Sequence, residues 1–139
     1  MSKMPKQHRI FVVDDEPVIA STLGLILSQQ GFEVTTFTDP VEALQAIQTH
    51  APEFLIADVV MPEISGIELA IVIRETCPAC QVILFSGQIS TFELLETARN
   101  RGHNFEVLTK PVHPIDMLER VRMGLGINAR NNGAPARLQ

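Results

Sequence analysis

Short apolar runs alternate with helical segments along the whole chain. Residues 8–13 form an apolar run that stops at two acids, the pattern of a buried strand. Residues 17–30 follow, with Ile19, Leu23, Ile26 and Leu27 on one helical face. Pro17 suits the first turn of that helix, and Gly31 suits the position just past its end. A second strand is expected at 32–37. Thr38 or Asp39 then caps a helix that begins at Pro40 and turns Val41, Leu44 and Ile47 inward. Residues 54–57 read as a third strand stopped by Asp58, and 59–66 as a loop containing Pro62 and Gly66. A helix over 67–76 would bury Leu69, Ala70 and Ile73. A fourth strand is expected at 81–85, and a helix opens at Ser90 or Thr91 and ends near Gly102. A fifth strand covers 105–109. A last helix runs from His113 to about Leu125, with Ile115, Leu118 and Val121 on one face.

Five strand–helix units with apolar strands predict a parallel sheet covered on both faces, an α/β sandwich of three layers. Sites in such sheets lie beyond the carboxyl ends of the strands. Asp14, Asp15, Asp58, Ser86 and Lys110 each follow an apolar run at such an end. A strand that merely ends in a polar residue accounts for any one of them. It accounts less well for the set, because the fold carries all of them to one edge.

Composition narrows the class. A chain of 139 residues fits one domain, and 45% hydrophobic with 19% charged residues is globular, not disordered. The net charge of −5 argues against direct nucleic-acid binding, which needs clustered lysine and arginine. No apolar run approaches the roughly 20 residues of a membrane span. No signal-peptide segment follows the basic start, so the chain reads as cytoplasmic, with no membrane partner. Cys77 and Cys80 form a C-P-A-C spacing. A redox pair or half a zinc site is the functional reading. His8, His50, His103 and His113 stand apart from it, Pro78 suggests a turn after a helix, and the pair reads as incidental. Residues 1–7 are taken as an extension, 8–125 as the folded unit, and 126–139, polar and without period, as a flexible tail or linker stub.

Three carboxylates brought together repel each other and favour a hard divalent cation, Mg2+ or Mn2+ in its place. A lysine opposite the ion neutralises phosphoryl charge as a compact point charge, and a serine hydroxyl donates to another oxygen. A carboxylate nucleophile completes the set, because aspartate forms an aspartyl-phosphate. Asp14 and Asp15 are adjacent and supply a carboxylate pair for the metal. In a sheet of order 2-1-3-4-5, Asp58 comes from the middle strand, between that pair and Ser86 with Lys110. It is the expected nucleophile.

The motifs V-V-D-D-E at 12–16, D-V-V-M-P-E-I-S-G at 58–66, F-S-G at 85–87 and T-K-P at 109–111 together resemble the response-regulator receiver domain of two-component phosphorelays, chemotaxis-type single-domain receivers included. The resemblance covers residues 8–125. It implies a flavodoxin-like (βα)5 fold and transfer of a phosphoryl group to Asp58 from a sensor histidine kinase or phosphotransfer protein. It implies direct Mg2+ ligation by Asp15, Asp58 and the main-chain carbonyl of Val60, with Asp14 acting through a water. Ser86 and Lys110 would contact the phosphoryl group, and Pro111 would follow a cis peptide bond. Met61, Pro62 and Gly66 shape the loop, while Phe85 and Leu108 are core.

Two departures follow from the same comparison. The position three before the lysine, often aromatic in receivers, is Val107, and the nearest aromatic, Phe105, lies two residues earlier on the same face. Val60 and Gln88 occupy positions that tune hydrolysis, and a valine offers water no hydrogen bond. The readout surface would be 90–122, including Phe92, Leu95, Arg99, Val107, Arg120 and Arg122. Its partner would be a downstream protein, a missing output domain, or a second copy in a homodimer. Arg99 and Arg101 read equally well as solvated helix residues. A phosphate-independent scaffold is the alternative, but all five polar positions are present. A hydrolase with an aspartyl intermediate needs an acid–base group two residues after the nucleophile, and that residue is Val60. The chain is therefore read as no enzyme beyond its own phosphorylation and dephosphorylation.

Overall fold

The computed structural model describes residues 7–87 and 91–127, without the side chains of Thr91 and Phe92. Residues 1–6 of the expected extension, Gln88, Ser90, the Phe92 side chain and 128–139 of the expected tail lie outside the described residues. The strands are β1 (Arg9–Val13), β2 (Glu33–Phe37), β3 (Phe54–Asp58), β4 (Gln81–Ser86) and β5 (Glu106–Thr109). The helices are α1 (Pro17–Gln29), α2 (Pro40–Thr49), α3 (Gly66–Thr76), α4 (Thr91–Asn100) and α5 (Pro114–Leu125). All neighbouring strands pair in parallel, in the order β2-β1-β3-β4-β5. This is the expected flavodoxin-like three-layer sandwich.

Alternation within the strands builds the two interfaces. Phe11, Val13, Leu55, Ala57, Val82 and Leu84 face the side of α2, α3 and α4. Ile10, Val12, Phe54, Ile56, Ile83 and Phe85 face α1 and α5, against Leu27, Met117 and Val121. Both faces of the inner strands are dry, so between Arg9 and Gln81 at their amino ends and the polar residues at their carboxyl ends β1, β3 and β4 are apolar.

The helix ends follow local chemistry. Pro17 sits in the first turn of α1. The helix closes with Phe32 N–H donating to Leu27 and Gly31 N–H to Ser28, with Gly31 at a φ of 94° that favours glycine. Asp39 caps α2 by accepting from Val41 N–H. Ser65 and Glu68 form a reciprocal capping box, which starts α3 one residue before the expected position. The S-x-x-E spacing carries that signal in the sequence.

Three sequence expectations change. Ile115, expected inward on α5, is 58% exposed, and Met117 takes the core position instead. In α2, Ala43 and Ile47 are fully inward, with Val41 and Leu44 only partly so. Arg122, expected on the readout surface, is 8% exposed and donates to Gln30 Oε1 of the α1 cap at 2.7 Å. It therefore braces α5 against α1 and lies buried beneath the surface on which it was expected. Among the described residues no helix is long and apolar enough to cross a membrane.

Cys77 ends α3, and its carbonyl accepts from Cys80 N–H at 2.9 Å across the Pro78 turn. Both thiols are free. Burial, with the Cys77 thiol adding to it, pushes the Cys80 thiol up to about 12. Thiolate is the reactive form. Alkylation with iodoacetamide near pH 8 is expected to label Cys77 and leave Cys80 at least about a hundredfold slower in the folded protein. Peptide mapping showing equal labelling would contradict this packing.

Candidate functional site

The carboxyl ends of β1, β3, β4 and β5 converge at one edge. Asp14 and Asp15 follow β1, Asp58 ends β3, Ser86 ends β4, and Lys110 follows β5. Asp14 is almost wholly buried, and its Oδ1 accepts from Glu16 N–H at 2.9 Å. Its main-chain N–H donates to the carbonyl of Phe37, at the end of β2. The acid pair is thus pinned from both sides of its turn.

Asp14, Asp15 and Asp58 each offer one carboxylate oxygen, all within 4.8 Å of one another. Lys110 Nζ lies 3.3 Å from Asp58 Oδ1 and 3.4 Å from Asp14 Oδ2. The main chain of Lys110 is held independently, because its N–H donates to the Ser86 carbonyl at 2.9 Å. Ser86 is buried and has the parity of Val82 and Leu84, toward the α3 and α4 side. The Lys110–Pro111 peptide bond is cis, as the resemblance implied.

Burial is the largest influence on Asp58 and raises its carboxyl above the ordinary aspartate value. Lys110 opposes that rise, and Asp14 and Asp15 add to it. Burial acts to lower Lys110, but the charges of Asp14 and Asp58 outweigh it and hold the ammonium above the ordinary lysine value. Three acids and one base leave uncompensated negative charge in a partly dry pocket. Oxygen-only donors of this kind suit a hard divalent cation and not a soft metal.

The loop after β3 closes the site from the other side. Val59 N–H donates to Phe85, and Gly66 N–H returns to Val59 at 2.9 Å. Met61 is buried beneath the loop, while Val60 is 41% exposed on its outside. Pro62 and Glu63 are exposed, and Glu63 takes a φ of 70°. The role of Gly66 is one of space: a Cβ there would lie 2.2 Å from the Asp58 carbonyl oxygen. The sequence showed a glycine in a loop but could not show what it touches.

At the aromatic position flagged in the sequence, Val107 is partly buried against the α3 side. Phe105 is packed there too, with the His103 ring 6.0 Å away and nearly parallel, and the Arg74 guanidinium 5.1 Å from its centre. The Arg74 contact ties Phe105 to α3. On the expected readout face, Leu95 is partly buried, Arg99 pairs with Glu96, and Arg120 pairs with Glu106.

A family model described as the response regulator receiver domain matches residues 10–122. An uncharacterized 14.6 kDa protein of Leptolyngbya boryana is 34% identical over an alignment of 121 residues, which covers 84% of this chain and 88% of that one. The DNA-binding response regulator MtrA of Mycolicibacterium smegmatis is 26% identical over 132 residues. That match takes in 95% of this chain and 55% of MtrA, so the chain spans about half the length of that regulator. A CheY-like response regulator receiver domain protein from Methanospirillum hungatei JF-1 superposes with a TM-score of 0.80 at 28% identity, covering 87% of this chain and 95% of that one.

Proposed function

Since this chain belongs to the response regulator receiver domain family of two-component signalling, we propose that it accepts a phosphoryl group on Asp58. The observation that carries this reading is the meeting of Asp14, Asp15 and Asp58 with the Lys110 ammonium at the strand ends. The donor is a phosphohistidine on a sensor kinase or phosphotransfer protein.

Asp58 is the nucleophile. It comes from the central strand, and its carboxylate faces both the acid pair and the lysine. Lys110 holds a phosphoryl oxygen with its charge, and Ser86 donates to another. Asp15, Asp58 and the carbonyl of Val60 are the residues to hold Mg2+, or Mn2+ in its place. Asp14 acts through a water, which agrees with its oxygens already meeting Glu16 N–H and Lys110. When bound, the cation supplies positive charge against the phosphoryl oxygens. The chemistry is confined to the chain's own carboxylate, so the domain is a switch and not an enzyme with an external substrate.

Added negative charge and acceptor oxygens draw Ser86 inward and alter the 90–122 surface. Arg122 drops out of that surface, and the exposed Leu94 and Ile115 join it. The surface serves a downstream protein, an output domain on a longer chain, or a homodimer. Residues 8–125 form the receiver unit, the flanking segments an extension and a tail, and the setting is cytoplasmic.

Intact mass after incubation with Mg2+ and acetyl phosphate tests the reading. One added phosphoryl group is expected, and none under chelator. No gain from acetyl phosphate or from a phosphohistidine protein would leave a phosphate-independent scaffold.

Val60 bears on lifetime. Its exposed apolar side chain offers attacking water no hydrogen bond. Val60→Asn is expected to shorten the phospho-form's half-life by about three- to tenfold, as a positioned hydrogen bond for water would. A time course of mass loss reads this directly, and an unchanged half-life would remove Val60 from the account.

A further inference from the structure

A pocket of about 470 Å³ lies on the α1 and α5 side of the sheet and reaches the carboxylates through Lys110, which lines it. Its walls are Ile19 and Leu23 of α1, Phe85 of β4, and Pro111 and Val112 of the turn after β5. Lys110 is the charged residue in its lining, and the same amine lies 3.3 Å from Asp58 Oδ1. Phe85 is the register partner of Asp58 on the adjacent strand. The volume falls within the range of small-molecule sites. One cation among apolar lining residues matches a ligand that is anionic at one end and apolar at the other.

We propose that this pocket receives the acyl group of a small aromatic acyl phosphate, a mixed anhydride that acts as an alternative phosphoryl donor to Asp58. The inference rests on Asp58 being the phosphoacceptor. With the phosphate against Lys110 and Asp58, the bent P–O–C linkage turns the acyl group away from the line of attack. The group then lies across the lysine stem toward Ile19 and Val112. An Asp58 carboxylate oxygen forms a bond to phosphorus, and the bond from phosphorus to the bridging oxygen breaks. The electron pair leaves with the carboxylate product, and no proton or redox partner is required. Burial of the aromatic ring strengthens binding of this donor over one with a methyl group.

The test compares benzoyl phosphate with acetyl phosphate at equal subsaturating concentration with Mg2+, by intact mass over time. The unsubstituted chain, Ile19→Gln and Val112→Gln are measured in parallel. Comparing the benzoyl-to-acetyl ratio between chains cancels the intrinsic reactivity of the two anhydrides. Reaction with acetyl phosphate also reports that each variant is folded. The ratio is expected to fall about tenfold in each variant. An equal ratio in all three chains would overturn the proposal, leave the pocket to a protein partner, and leave the receiver reading intact. Failure of both donors on the unsubstituted chain would overturn the receiver reading and this inference together.

Discussion

Asp58→Ala is expected to gain no mass from any phosphoryl donor, and to melt at a higher temperature than the unsubstituted chain when no divalent cation is present. The first effect follows from losing the proposed phosphoacceptor: Asp14 is nearly buried and bonded to Glu16 N–H, so it does not substitute. The second follows from the electrostatics. Burial dominates at Asp58 and raises its carboxyl despite Lys110, with Asp14 and Asp15 adding to the rise. A carboxylate in that state is less stable folded than unfolded. Its removal should raise the midpoint by about 3 °C in chelator, measured by circular dichroism. A raised folded pKa means that the folded chain holds its proton more tightly. The cost of the ionised group is therefore full at neutral pH, fades as pH falls through the raised folded value, and is gone below the unfolded value near 3.8. The two melting curves should converge in acid. Mg2+ should stabilise the unsubstituted chain more than the variant, by mass action on the folded state. A variant that melts lower than the parent in chelator at neutral pH would contradict the assigned charge imbalance.

Gly66→Ala is expected to cost about 3 kcal/mol or more, because the new methyl carbon would lie 2.2 Å from a main-chain oxygen and 2.9 Å from its carbon. Neither atom belongs to a flexible side chain. The start of α3 or the carboxyl end of β3 must move. The capping box at Ser65 and Glu68, and the Gly66 N–H bond to Val59, resist the first movement. Pairing of β3 with β4 through Asp58 and Phe85 resists the second. Since the displaced oxygen belongs to Asp58 itself, phosphorylation should slow by roughly ten- to a hundredfold even where the fold survives. Urea denaturation gives the stability, and the mass assay gives the rate. A variant of unchanged stability would refute the close approach.

The sequence by itself determined the order of elements. Apolar runs broken by proline, glycine and polar clusters are local signals, and β1, β3 and β4 are buried on both faces, so no alternation had to be interpreted. It also placed Asp14, Asp15, Asp58, Ser86 and Lys110 at the ends of those runs, which the parallel sheet carries to one edge. Helix orientation was less legible. In α5 the stripe through Ile115 looked inward by period, but a helix's buried face is set by where the sheet and α1 lie. Arg122 was expected on the readout surface for the same reason, and its partner Gln30 is 92 residues away in sequence. Only the tertiary structure decided that Gly66 passes against the Asp58 carbonyl, that Phe105 is tied to His103 and Arg74, and that Lys110 lines an apolar pocket. Each of these depends on distances between elements far apart along the chain. Periodicity reports which side of an element is apolar, and packing alone reports what that side meets.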